Sequence, residues 1–97
     1  MEDIETKKVR IIGARCATQE DLHAYLKRKL DFPDYYGANL SALADCLSDL
    51  CSPVHLTICL NEDDLEPGMQ AYMLRFVQTC AREALANENL SLTIEHW

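Results

Sequence analysis

The chain has 97 residues, 48% of them hydrophobic, which suits one small domain over residues 1–97 built on a single core. Its formal charge of −7 disfavours direct contact with nucleic acid and favours a basic protein partner. No stretch approaches the roughly 18 apolar residues of a membrane span, and the charged first ten residues lack the apolar run of a signal peptide, so a cytoplasmic protein is expected.

Residues 9–12 form a short β-branched run and predict a first strand. Thr18 followed by Asp21 resembles a capping box, and Leu22, Tyr25, Leu26 and Leu30 follow at helical spacing. That helix should end near Phe32, because the residue before Pro33 is pushed out of the helical region. A loop with Asp34, the adjacent Tyr35 and Tyr36, and Gly37 comes next. Asn39 then stands where a helix cap is needed.

The helix expected from Asn39 to Leu50 has two sides. Leu40, Leu43, Leu47 and Leu50 fall within about 80° on its wheel, while Ser41, Asp45, Ser48 and Asp49 gather opposite. Pro53 breaks it, and Val54, Leu56 and Ile58 alternate with His55, Thr57 and Cys59 as a second strand. Residues 61–68 form a polar turn region carrying Glu62, Asp63, Asp64 and Glu66. Residues 69–86 predict a long helix with Tyr72, Met73, Phe76, Val77, Cys80 and Ala84 on its apolar stripe. Leu90, Leu92 and Ile94 then alternate with polar residues as a third strand. Trp97 either closes the bottom of the core or stays free of it.

Strand, two helices, strand, helix, strand implies an α/β fold: a three-stranded parallel sheet packed with about three helices. Five cysteines at irregular spacing predict reduced thiols, mostly buried. There is no CxxC pair, and His23, His55 and His96 stand at no metal-ligand spacing, so neither metal nor cofactor is expected. Cys46 follows Asp45 directly, but helix neighbours diverge by about 100° and form no dyad. No enzyme is expected.

The acidic helix side suggests binding instead. Asp45 points away from the leucines and Asp49 follows one turn later. Like charges at that spacing weaken a helix, so helix stability does not explain them. Tyrosines in an adjoining loop add the anchor residues that protein interfaces favour.

Tyr35-Tyr36-Gly37-x-Asn39-Leu40-x-Ala42-Leu43-x-Asp45-Cys46-Leu47, with Asp21-Leu22-His23 and Leu26-Lys27 before it, resembles the binding loop and first two helices of the barstar family. Its members are intracellular ribonuclease inhibitors. The resemblance is strongest over residues 20–50 and implies the same sheet architecture, with the small helix that the family carries before its long helix absent or reduced to a turn.

The resemblance also implies a partner-binding set. Tyr35, with Tyr36 beside it, matches the tyrosine loop, and Gly37 and Asn39 match the helix start. Asp45 matches the aspartate that enters the enzyme's phosphate site, with Asp49 nearby. Ser41 stands where the family has a second contact aspartate, Ala44 and Leu50 replace aromatics, and Glu83 is the equivalent of a contact glutamate on the last helix. The implied function is an inhibitor or immunity protein, a monomer when free, that blocks a basic ribonuclease or another toxin with a basic cleft. The alternative is a barstar-fold adaptor or regulator of a non-nuclease partner, which Ser41 and Ala44 motivate.

Overall fold

The computed structural model describes residues 6–61 and 65–96. The expectations about Glu62, Asp63, Asp64, Trp97 and the His96 side chain lie outside the described residues. Three strands, β1 (Lys7–Ile12), β2 (Val54–Leu60) and β3 (Leu90–His96), pair in parallel in the order β1-β2-β3. Helices α1 (Gln19–Leu30) and α2 (Leu40–Ser48) connect β1 to β2, and α3 (Gln70–Ala86) connects β2 to β3. Single 3-10 turns at Gly13–Arg15 and Pro67–Met69 precede α1 and α3.

Both crossovers step across the sheet in the same direction. Right-handed connections therefore place all three helices on one face. The burial pattern agrees. Val9 pairs with Leu56 and Leu56 with Leu92; Ile11 pairs with Ile58. Val9, Ile11, Leu56 and Ile58 are buried against Leu22, Leu26, Leu43, Leu47, Met73 and Phe76. Each such side chain contributes roughly 1.5–3 kcal/mol by leaving water.

The opposite face of the sheet is polar. Lys8, His55 and Ser91 share one register row, and Arg10, Thr57 and Thr93 the next. His55 bonds to the Ser91 hydroxyl at 2.7 Å and the Thr93 hydroxyl at 2.8 Å, and Arg10 pairs with Glu95 at 2.9 Å. Parallel sheets are normally covered on both sides. Here side-chain hydrogen bonds across neighbouring strands stand in for the second layer.

The helix ends follow local chemistry. The Thr18 hydroxyl accepts from the Asp21 amide at 3.1 Å, as the capping pattern predicts. Helix α1 stops at Leu30, short of Pro33, because Asp31 turns left-handed (φ 56°) and the Phe32 amide bonds back to the Lys27 carbonyl at 3.0 Å. This closure, with Phe32 buried behind it, satisfies carbonyls that the helix end would leave open.

Helix α2 is likewise shorter than its leucine pattern. It ends at Ser48, with Asp49 as its C-cap. Leu50 lies beyond the helix, where its carbonyl accepts from the Asn87 amide group at 3.3 Å and that of Asn89 at 3.0 Å. Three of the five cysteines (Cys16, Cys59, Cys80) are buried, Cys46 is half-buried and Cys51 is exposed.

Candidate partner-binding face

The tyrosine loop and α2 meet at a groove of about 450 Å³ whose walls include Pro33, Tyr35, Gly37, Asp45, Asp49 and Leu50. Helix α2 starts where it does because the Asn39 side-chain oxygen accepts from the Ala42 amide at 2.8 Å, and its amide group donates to the Gly37 carbonyl at 3.1 Å. A Cβ on Gly37 would stand 3.2 Å from the Asn39 amide nitrogen and 3.3 Å from the Ala42 Cβ. The glycine is therefore there for close approach. The left-handed residue of this loop is Ala38 (φ 53°), a position glycine would fill without strain.

The two tyrosines part company. Tyr35 is 88% exposed. Tyr36 turns inward, packs against Phe32 with ring centres 4.8 Å apart and planes tilted by 47°, and brings its hydroxyl to 2.6 Å from His23 Nδ1. The other imidazole nitrogen, Nε2, lies 2.6 Å from the Tyr72 hydroxyl on α3. His23 is wholly buried, and burial lowers its pKa. The neutral ring donates to one phenol and accepts from the other. Burial, first of all, pushes the Tyr36 phenol well above its ordinary range, with Cys46, Tyr72 and Cys80 adding in the same direction. The Tyr36 ring thus forms the inner wall of the groove, and Tyr35 stands at its mouth.

Helix α2 turns Leu43 and Leu47 fully inward, which leaves Asp45 and Asp49 exposed on the groove. Burial raises the Cys46 thiol pKa, and Asp49 and Asp45 push it further the same way. That disfavours a thiolate nucleophile. No group of three or more His, Cys, Asp or Glu side chains that could hold a metal ion occurs among the described residues. No helix among them is long and apolar enough to cross a membrane.

The remaining predicted residues are not brought to this groove. Ser41 is exposed on the other flank of α2, in a smaller cleft of about 260 Å³ facing Arg75, Gln78, Thr79 and Arg82 of α3. Ala44 is half-buried. Glu83 is also half-buried, 3.5 Å from Arg82 Nε, and lines neither cleft.

Sequence reasoning missed the His23–Tyr36–Tyr72 chain. A signal existed: His23 precedes Leu26 and Leu30 at helical spacing, which places it on the inward face of α1.

Two comparisons bear on this geometry. Residues 6–95 match the family described as "Barstar (barnase inhibitor)". The chain is also 57% identical over 42 residues to a Bacillus subtilis (strain 168) protein named "Putative ribonuclease inhibitor YrdF". That match covers 43% of this chain and 46% of the relative, so the chain matches less than half of the relative's length.

Proposed function

The chain belongs to the barstar family, and from that premise we propose that it inhibits a ribonuclease by filling the active site with the acidic side of α2 and the adjoining Tyr35 loop. One observation carries this reading: Asp45 is exposed on a short helix whose other side is locked into the core by Leu43 and Leu47. A ribonuclease must hold phosphates, so its active site gathers cationic donors in a concave cleft. A carboxylate held at fixed height can occupy a phosphate position and accept charge-assisted hydrogen bonds from those donors.

Tyr35 at the mouth of the groove provides an aromatic anchor of the kind that dominates interface energetics. Asp49 adds charge beside Asp45, and Tyr36, Gly37 and Asn39 hold the loop and helix start in place beneath them. The charge of −7 speeds encounter with a basic enzyme, which matters when an uninhibited nuclease degrades cytoplasmic RNA. Action is by occlusion, without chemistry, in the manner of an immunity protein against a toxin.

A second reading has its own support. Ser41 and Ala44 stand where the resemblance places a contact acid and a contact aromatic, which favours either a ribonuclease of different surface or a non-nuclease partner. RNA cleavage by purified small ribonucleases, barnase among them, should be measured with the wild-type chain and with Asp45→Arg. Suppression by the wild type alone supports inhibition through this face. Equal suppression by both forms removes Asp45 from the mechanism, and no suppression of any ribonuclease favours the non-nuclease partner.

A further inference from the structure

Helix α2 separates two clefts of opposite charge. On one side lies the Asp45–Asp49 groove; on the other, Ser41 faces Arg75 and Arg82. We propose that the partner of this face carries both signs of charge, bringing a basic element to the Asp45 groove and a carboxylate-bearing element to the Arg75–Arg82 cleft. This rests on the reading of the face as a partner-binding surface and specifies the partner further.

Positive charge is unevenly distributed along the chain. Of the nine basic residues, only Arg75 and Arg82 occur after Lys29, and both line this cleft. They are seven residues apart on α3, so they lie on the same side of the helix with a rise of about 10.5 Å between them. Two guanidinium groups at that spacing can engage two carboxylates on one partner segment.

Their surroundings leave them available. Arg75 Cζ lies 6.0 Å from the centre of the Tyr72 ring, a contact that orients the guanidinium without neutralising it. Among the described residues Arg75 has no carboxylate partner. Arg82 touches the adjacent Glu83 through Nε at 3.5 Å, and its side chain is 70% exposed, which leaves the outer guanidinium nitrogens open. The Thr79 hydroxyl already donates to the Arg75 carbonyl at 2.8 Å. Beside half-buried Leu40, the polar side chains left to contact a partner are those of Arg75, Arg82, Gln78 and Ser41, which are mostly hydrogen-bond donors.

An interface of ordinary size covers about 800 Å² per partner. A single α-helix is about 10–12 Å wide with its side chains. A partner seated on α2 therefore covers both clefts. If its surface were cationic throughout, the two arginines would repel it. A carboxylate opposite them instead accepts paired guanidinium hydrogen bonds and fixes the partner's orientation.

Amide-resolved NMR with tetra-glutamate and tetra-lysine as probes tests the assignment on the chain alone. Tetra-glutamate should shift the Ser41, Gln78 and Thr79 amides saturably, and the exposed double variant Arg75→Glu/Arg82→Glu should weaken that response at least tenfold. The same variant should keep the tetra-lysine response at Gly37, Asp45 and Asp49. A separate cleft beside α1 is lined by Arg10, Arg15 and Arg28; tetra-glutamate shifts confined to it, or unchanged in the variant, would overturn the proposal. A missing tetra-lysine response beside an intact tetra-glutamate one would remove the basic element from the Asp45 groove, overturning the two-signed partner together with the proposed acidic face and leaving the Arg75–Arg82 cleft as an anion site alone. Against a ribonuclease that the wild type inhibits, the double variant should inhibit at least tenfold less well. Tighter inhibition would show a partner cationic over both clefts and would equally overturn the proposal.

Discussion

The Tyr36 hydroxyl and His23 Nδ1 lie 2.6 Å apart, so the residue beside exposed Tyr35 is anchored in the core. Through His23 and Tyr72 the same chain of hydrogen bonds joins the loop to α1 and α3. The loop is thus held from below while its neighbouring side chain faces outward. Such fixing lowers the entropy that a binding surface loses on association.

Removing either phenolic hydroxyl leaves a buried imidazole nitrogen without its partner, which costs about 1–3 kcal/mol. Tyr36→Phe and Tyr72→Phe should each lower stability by that amount in urea unfolding. Only Tyr36→Phe should also loosen the Tyr35 loop, read as faster amide exchange around Gly37.

Stability should fall on mild acidification. Burial lowers the pKa of His23 in the folded state, whereas in the unfolded chain it sits near 6.5. Below about pH 6.5 the unfolded state therefore binds more protons than the folded state. The stabilisation is complete above that pH and declines as the pH drops, at a limit of about 1.4 kcal/mol per pH unit. Once folded His23 itself protonates, the decline levels off. Unfolding measured between pH 7.5 and 5.5 should show this slope in the wild type, and His23→Gln should flatten it.

Ala38 holds a left-handed conformation (φ 53°) that costs a non-glycine residue roughly 1–2 kcal/mol. Ala38→Gly relieves that strain and adds some freedom to the unfolded chain. A net gain of about 0.5–1 kcal/mol is expected, seen as a higher Tm.

The Asn87 amide group donates to the carbonyls of Leu47 at 3.0 Å and Leu50 at 3.3 Å, and thereby ties the end of α2 to the end of α3. Asn87→Ala should cost about 1–3 kcal/mol and raise exchange at Asp49 and Leu50 before it affects the centre of the sheet.

Periodicity was enough to read the fold. Alternation in residues 54–59 and 90–95 and the leucine stripe of α2 correspond to two strands of the parallel sheet, which run one residue further, and to part of its covering layer. Asn39 was legible as a cap because capping is local chemistry. What the sequence did not reveal depends on contacts between distant segments. The inward turn of Tyr36 requires His23, 13 residues before it, and Tyr72, which lies 49 residues beyond His23. The early end of α2 is fixed by Asn87, and the placement of Ser41 beside Arg75 and Arg82 follows from how α2 and α3 pack. No helical wheel of one segment contains these relations. The left-handed conformation of Ala38 was equally hidden, since an alanine gives no local sign of a positive φ.

The proposed entry of Asp45 into a ribonuclease active site can be measured directly. Its most direct test is the inhibition constant of the wild-type chain and of Asp45→Ala against a small ribonuclease that the wild type blocks, with circular dichroism confirming that both are folded. A hot-spot carboxylate is worth roughly 2 kcal/mol or more, so the variant should inhibit at least about 30-fold less well. Equal inhibition by the two folded proteins would exclude Asp45 from the binding surface.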